Sequence, residues 1–190
     1  MSAPVLRMRD VTHVANGEIV VAATSLDVFA DTQCAILRAS AREAAMLAML
    51  AAGQARPSSG AVLIGEYDPR VQPVHCKRIV GFVPHDPLPI APSMFSRYID
   101  YRAALWDIDA RRARAHAALL LERLGGLHEA FAYPLVAALI SSPELLVLDR
   151  PQLAHAPDIL SVTGRVAIFS THVDAACARA YTPFACEKRA

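Results

Sequence analysis

The sequence predicts an α/β fold, in which helices form layers against a mostly parallel sheet and a small antiparallel piece lies at the front. Residues 144–149 and 166–170 contain continuous apolar runs, which are typical of strands buried on both faces. Such runs alternate along the chain with segments of helical periodicity. This alternation favours parallel strands joined by crossover helices.

The antiparallel piece is predicted at the amino-terminal end. Residues 5–11 and 19–28 have the composition of strands, and Asn16-Gly17 stands between them. An Asn-Gly pair between two strand-like runs is a strong signal for a tight hairpin turn. The sequence therefore predicts that the chain enters the fold as an antiparallel hairpin.

A strand, a loop and a helix are predicted next. Residues 33–37 form an apolar run, and the Ala/Met/Leu-rich stretch behind residues 38–40 favours a helix that ends near Gly53. Two further strands are expected at residues 61–64 and 78–83. The segment between these strands carries no clear prediction.

A helical layer is predicted in the middle of the chain. After a proline-interrupted loop at residues 84–92, helical periodicity covers residues 94–105 and then continues from Asp107, a plausible cap, to residue 124. A further helix is expected over residues 133–140. The helical part of the fold is placed at about residues 86–132.

Composition limits the classes of function. The 190 residues suit one domain spanning 1–190, and 54% of them are hydrophobic, which excludes a disordered chain. A formal net charge of +1 gives no long-range field for nucleic acid, so no nucleic-acid partner is expected. No apolar stretch is long enough to cross a bilayer, so no direct membrane insertion is expected.

The cysteines and histidines do not suggest a metal centre. The four cysteines are far apart, with no C-x-x-C pair and no histidine at ligand spacing. We therefore expect no metal site and a reducing compartment.

Several motifs stand in a recognisable order along the chain. From Asp10 to about residue 64 the chain carries DVTHV and then LRASAREAAMLAMLAAGQARPSSG, which resembles the first strand and the P-loop region of ABC-transporter ATPases. IVGFVPHDPLPIAPSMFSRYIDYRAAL resembles the glutamine-loop region, PELLVLDRP the Walker B strand and VAIFSTH the switch-histidine strand. The resemblance implies a P-loop NTPase-like ABC ATPase fold with a shortened helical subdomain.

The P-loop positions depart from the family pattern. Family members have glycines there for the phosphates, a lysine for the terminal phosphates and a serine or threonine for magnesium. This chain has Arg38 at the first glycine, Glu43 at the last, Ala44 at the lysine and Ala45 at the hydroxyl. A cation is lost and an anion is gained, so a weakened phosphate site is expected.

Ser40 and Glu43 also fit a capping box. Such a cap stabilises a helix by about 1 kcal/mol, and the Glu43 carboxylate would lie at the positive helix end that otherwise attracts phosphate. An ordinary helix start and mimicry of an anion both explain the pair. Both interpretations disfavour nucleotide binding.

Among the other positions that the resemblance identifies, some are substituted and some are retained. Ala15 stands where the family has an aromatic residue that stacks on adenine, and Arg150 replaces the glutamate that polarises the attacking water. Asp149 keeps the Walker B aspartate and His172 the switch histidine, while His85 stands at the sensing glutamine. The two histidines are better interpreted as inherited polar side chains in a closed cleft than as catalytic groups.

Two further family motifs are not found. No LSGGQ segment occurs between Leu124 and Tyr133. The loop at residues 152–157 has no dimer-contacting aspartate, and the helix that follows it in the family is predicted to be largely absent. Each composite site of the family uses one subunit's P-loop and the other's LSGGQ, and this chain supplies neither.

The resemblance and its departures together predict a catalytically inactive ABC ATPase-like subunit. No catalytic residue is expected at Arg150, His85 or His172, and no cofactor is expected, although the family uses ATP and Mg²⁺. The partners implied are a membrane permease, an ABC ATPase-like subunit, or both. The expected location is cytoplasmic, at the inner face of the plasma membrane through a partner.

Two alternatives remain open at this point. One is an ATP-binding subunit with an unusual residual site, in which Arg38 or Arg42 contacts phosphate. The other is a soluble adaptor that uses the fold only for packing against other proteins.

Overall fold

The computed structural model describes residues 3–125, 127–152, 156–164, 166–173 and 180–185. Within these ranges the strands are β1 (Pro4–Ala15), β2 (Glu18–Phe29), β3 (Thr32–Ala39), β4 (Ser59–Ile64), β5 (Val80–Val83), β6 (Leu145–Asp149), β7 (Ala167–Val173) and β8 (Ala180–Ala185). The helices are α1 (Ala41–Ala51), α2 (Pro73–Ile79), α3 (Pro92–Leu105), α4 (Ala110–Arg123), α5 (Glu129–Leu139) and α6 (Ala156–Thr163). Among the described helices, none is long and apolar enough to cross a membrane.

The predicted hairpin is confirmed. β1 and β2 pair antiparallel, with Ala15 opposite Glu18 at the closed end. Asn16 and Gly17 have φ angles of 53° and 79°, the left-handed values that a two-residue hairpin turn requires. β4 pairs with the other edge of β1, which gives a three-stranded sheet in the order β2-β1-β4.

The main sheet has the order β5-β6-β7-β3-β8. β5, β6, β7 and β3 run parallel to one another, so the predicted parallel sheet is confirmed. β8 lies antiparallel on the edge of β3 and is not predicted by the sequence. Its Pro183 lacks a backbone donor, and proline is tolerated in a strand that closes a sheet edge.

Two hydrophobic clusters cover the two faces of the main sheet. Side chains alternate between the faces along each strand, so Val147 and Phe169 join α1 and the three-stranded sheet in one cluster. Leu148 and Ile168 join the described helices of the middle region in the other cluster. The main sheet is therefore the central layer of the fold.

Several boundaries differ from the prediction. Residues 73–79 form α2 where the expected strand would have begun at residue 78, and Pro73 suits its first turn. The cap of α4 is Asp109, whose carboxylate accepts from the Arg112 N–H at 2.9 Å, rather than Asp107.

α5 and α6 also correct the prediction. α5 begins at Glu129 and contains Pro134, although proline is normally confined to the first turn. Burial of Ala132 and Tyr133 stabilises the turn before that proline. The helix predicted to be largely absent is present as α6, with eight residues, so it is short rather than missing.

Candidate functional site

Most of the predicted site residues meet at one edge of the main sheet, where the parallel strands β5, β6, β7 and β3 have their carboxyl ends. The strand register places Asp149 opposite Thr171, and Arg38 opposite His172. Parallel strands end at a common edge, which is where open α/β sheets place their ligands. The sequence motifs are therefore adjacent in space as well as ordered in sequence.

Asp149 and Arg150 form a tight ion pair at this edge. Arg150 Nε and Nη2 donate to the two carboxylate oxygens of Asp149 at 2.8 and 3.1 Å, and Thr171 Oγ1 donates to Asp149 Oδ1 at 3.3 Å. The Asp149 side chain is 8% exposed and that of Arg150 is 21% exposed. Both carboxylate oxygens of Asp149 are therefore engaged by the protein itself.

The backbone of Arg150 is held as firmly as its side chain. Its φ is 50°, an uncommon value for a residue other than glycine. Its N–H donates to the Thr171 carbonyl at 2.9 Å, and its own carbonyl accepts from His85 Nδ1 at 3.1 Å. The hydrogen bond to Asp149 raises the pKa of Arg150 above its ordinary value, so the guanidinium is a permanent cation here.

His172 lies on the opposite face of the sheet from Asp149. Its Nε2 is 2.8 Å from Ser170 Oγ, and both side chains line a small cavity of about 50 Å³ together with Cys34. Burial lowers the pKa of His172, and the charge of Arg38 lowers it further. The structure therefore brings His172 to Arg38 and Ser170, and it separates this group from the Asp149 carboxylate.

The predicted helix cap is present at the start of α1. Ser40 Oγ accepts from the Glu43 N–H at 3.3 Å, which is one half of the predicted capping box. Ala44 is completely buried within this first turn. This turn therefore places a methyl group where the resemblance implies a lysine.

A second contact ties the start of α1 to the hairpin. Arg42 Nη1 donates to Glu18 Oε2 at 2.8 Å, and Glu18 is the strand partner of Ala15. Ala15 is half-buried and packs against the core. An exposed ion pair of this kind stabilises little. It nevertheless holds Arg42 near Ala15, the position that the resemblance assigns to adenine stacking.

The donor set at these positions does not match the one that the resemblance implies for magnesium. Ala45 has no hydroxyl, and the Asp149 carboxylate accepts from Arg150 and Thr171. Magnesium requires oxygen ligands in octahedral geometry. No catalytic step through a metal is therefore assigned to this chain, and no group of three or more metal-binding side chains occurs among the described residues.

The sequence reasoning missed three residues of this site. Thr171, Ser170 and Glu18 each bond one of the predicted positions or its neighbour. The polar run Ser170-Thr171-His172 inside an apolar strand was the available signal for two of them.

Of the loop at residues 152–157, residues 153–155 lie outside the described part of the chain, so the prediction about a dimer-contacting aspartate stays a prediction.

Comparison with known proteins gives matches in structure alone. The sequence matches no protein-family model and no curated protein. The fold is similar to an ATP-binding subunit of an ABC transporter, with a TM-score of 0.71 and 16% identity over 90% of this chain and 80% of that chain. It is also similar to CbiO1 of Clostridium perfringens, part of the ABC transporter complex CbiONQ, with a TM-score of 0.69 and 16% identity over 91% and 80% of the two chains.

A third similar structure contains a bound nucleotide. It is a dimeric ATP-binding cassette in a post-hydrolysis state bound to ADP and Pi, with a TM-score of 0.67 and 13% identity over 90% of this chain and 88% of that chain. The ATP-binding subunit and the cassette bound to ADP and Pi contradict the expectation that the chain has no cofactor, because both are ATP-binding proteins and share its fold. That prediction came from single substitutions in the P-loop, which alter the donors without altering the fold around them. The chain therefore has the fold of the ATP-binding subunits of ABC transporters.

Proposed function

We propose that this chain is a non-hydrolysing ABC ATPase-like subunit with a structural or regulatory role in a membrane transporter or a related assembly. The ion pair between Arg150 and Asp149 carries the proposal. The position of the water-polarising glutamate holds a guanidinium, and a permanent cation cannot act as a general base. That guanidinium also occupies both oxygens of Asp149.

The start of α1 supports the same proposal. Phosphoryl transfer depends on cations that stabilise the charge developing on the transferred group. Ala44 is a buried methyl group at the position of the family's lysine. A bound nucleotide is compatible with the proposal, because the proposal excludes turnover and does not exclude binding.

The helical layer supplies a surface for a membrane partner. Met94, Tyr101 and Leu105 on α3 are exposed apolar side chains, and the family resemblance places the cytoplasmic coupling helix of a permease on this layer. CbiO1, which has the same fold, is part of a transporter complex. We infer a permease as the partner, and with it a location at the cytoplasmic face of the membrane.

An assay of phosphate release from Mg-ATP tests the absence of turnover. The purified chain is compared with its Asp149→Asn variant, which keeps the side-chain shape and removes the carboxylate. We expect the same background rate from both proteins, and an active ABC ATPase subunit serves as the positive control. A rate for the unmodified chain that exceeds the variant's rate by more than the scatter between preparations would overturn the proposal.

A second candidate function is an ATP-binding subunit with an unusual site. Two observations favour it: the similar structures are ATP-binding proteins, and Arg38 lies close enough to His172 to lower the pKa of that imidazole. Arg38 would then provide the positive charge that Ala44 lacks. Calorimetric titration with Mg-ATP distinguishes the candidates when it is combined with the phosphate assay. Micromolar binding that Arg38→Ala weakens, together with turnover, supports this second function.

A further inference from the structure

A groove runs along α4 at the edge of the main sheet opposite to Asp149. Two adjoining cavities of about 400 and 450 Å³ form it, and His116 and Ser142 line both. Glu144 and Val166, just before β6 and β7, lie at its floor. This edge holds the amino ends of the parallel strands, so the groove is separate from the site described above.

One wall of the groove is a single stripe of α4 and its cap. The lining positions follow the pattern i, i+3, i+4, i+7 and i+11, which places them on one helix face: Asp109, Arg112, Ala113, His116 and Leu120. From residue 109 to residue 120 the stripe extends about 16 Å at the rise of an α-helix. An extended peptide rises about 3.3 Å per residue, so the stripe matches the length of about five residues.

The groove has a charged end and an apolar end. Asp107, Asp109 and Arg112 line the cavity at the start of α4. Leu120, Leu139 and Val162 line the other cavity, together with the Glu144 carboxylate. A ligand that fills both cavities therefore needs apolar side chains at one end and a polar or charged group at the other.

The carboxylates that line the groove give it a net negative charge. Asp107, Asp109 and Glu144 stand against the one guanidinium of Arg112. Within the part of the chain that the structure describes, none of these three carboxylates forms an ion pair with a basic side chain. Charge complementarity therefore favours a cationic ligand, since a positive group is attracted by unneutralised carboxylates beside a low-dielectric wall.

We propose that this groove binds a short segment of a partner protein that carries a lysine or arginine next to branched apolar side chains. The apolar side chains lie between Leu120, Leu139 and Val162. The basic side chain lies at the charged end, beside the Asp107 and Asp109 carboxylates, and the Glu144 carboxylate adds to the negative charge of the groove. This binding is independent of nucleotide chemistry at the other edge of the sheet, so it goes beyond the proposed function.

Selection from a phage-displayed library of random heptapeptides on the full chain provides the probes. The most enriched peptides are then synthesised with a fluorescent label, and their affinity is measured by fluorescence polarisation. We expect enriched peptides to combine a basic residue with apolar ones, and their affinity to fall as salt is raised.

Two charge-removing substitutions test the residues. Asp107→Asn keeps a residue type that tolerates the φ of 56° at this position, and Glu144→Gln alters an exposed side chain. In the double variant the affinity of the selected peptides should fall about tenfold. The matched control is Glu122→Gln, which removes an exposed carboxylate of the same helix outside the groove and should leave the affinity unchanged. Circular dichroism confirms that all variants are folded, and Glu144→Gln alone should give an intermediate loss.

Several outcomes would overturn the proposal. Enrichment of acidic peptides, no enrichment over an uncoated surface, or equal affinity for the double variant would each exclude a cationic partner segment. A concentration-dependent dimer that the double variant dissociates would instead identify a second copy of the chain as the occupant. If peptides bound only after removal of residues 186–190, the occupant would be a segment of the chain itself.

Discussion

Arg150 and Asp149 are consecutive residues whose side chains form a bidentate ion pair, or fork, with N–O distances of 2.8 and 3.1 Å. Consecutive side chains of a regular strand point to opposite faces, so such a fork forms only where the strand geometry ends. The left-handed φ of 50° at Arg150 marks that end. Arg150, which the resemblance identifies as a departure from the family pattern, is thus held by Asp149, which the resemblance identifies as retained.

Substitution of Arg150 by alanine tests the energetic importance of this fork. It leaves a nearly buried carboxylate with one hydrogen bond from Thr171, and an under-satisfied buried charge is destabilising. We expect the free energy of unfolding, measured by urea denaturation, to fall by about 1–3 kcal/mol. Arg150→Lys retains the charge without the fork and should lose less. Equal stability of all three proteins would contradict the structure at this site.

The cap of α1 predicts a smaller effect. Ser40→Ala removes the acceptor for the Glu43 N–H, so the free energy of unfolding should fall by about 1 kcal/mol. Ser40→Asp keeps an acceptor at the N-cap and should retain most of the stability. Thermal denaturation of the three proteins makes the comparison. If the aspartate variant were as unstable as the alanine variant, the loss would have another cause than the cap.

The proposed docking surface predicts a contrast between two exposed positions. Leu105→Glu places a charge on α3, at a side chain that is 50% exposed, and should reduce copurification with the permease at least tenfold while the fold is retained. Val71→Glu, at a side chain that is 74% exposed and outside the helical layer, is the control and should have no effect. Equal losses for both variants would show that the charge acts non-specifically.

The candidate site predicts little effect from changes at Asp149 and His172, the two polar positions that match the family resemblance. If the chain acts without hydrolysis, Asp149→Asn and His172→Ala should leave its activity in the cell nearly intact. Replacement of the chromosomal copy by each variant, followed by the phenotype of the deletion strain, measures this. Damage as severe as that of Leu105→Glu would argue for a working catalytic site.

His172 predicts a pH dependence of stability. Burial and then Arg38 lower its pKa in the folded chain, so between that value and the unfolded value of about 6.5 the unfolded chain binds more protons. The contribution of His172 is therefore fully present above about pH 6.5 and is lost as pH falls below it. Urea denaturation at several pH values between 5 and 7.5 should show a shallower slope for His172→Gln than for the unmodified chain. Parallel slopes would show that the histidine is not held neutral.

Local sequence patterns predicted several elements correctly. The left-handed turn at Asn16-Gly17, the cap at Ser40 and the buried strand that ends at Asp149 all follow from short-range chemistry. These features depend on residues within a few positions of each other, so one sequence is sufficient to predict them. Pro134 shows the limit of such patterns, because tertiary packing keeps it inside α5.

Other features depend on contacts between distant segments. The residue pattern alone, through the family resemblance, predicted that Ala44, Ala45 and Arg150 stand at the positions of the family's lysine, hydroxyl and glutamate. Only the tertiary structure decided that Arg150 engages Asp149, that His172 bonds Ser170 on the other face of the sheet, and that α4 borders a negatively charged groove. The physical reason is that residue identity specifies which donors and charges exist, whereas strand register and helix packing determine which of them meet.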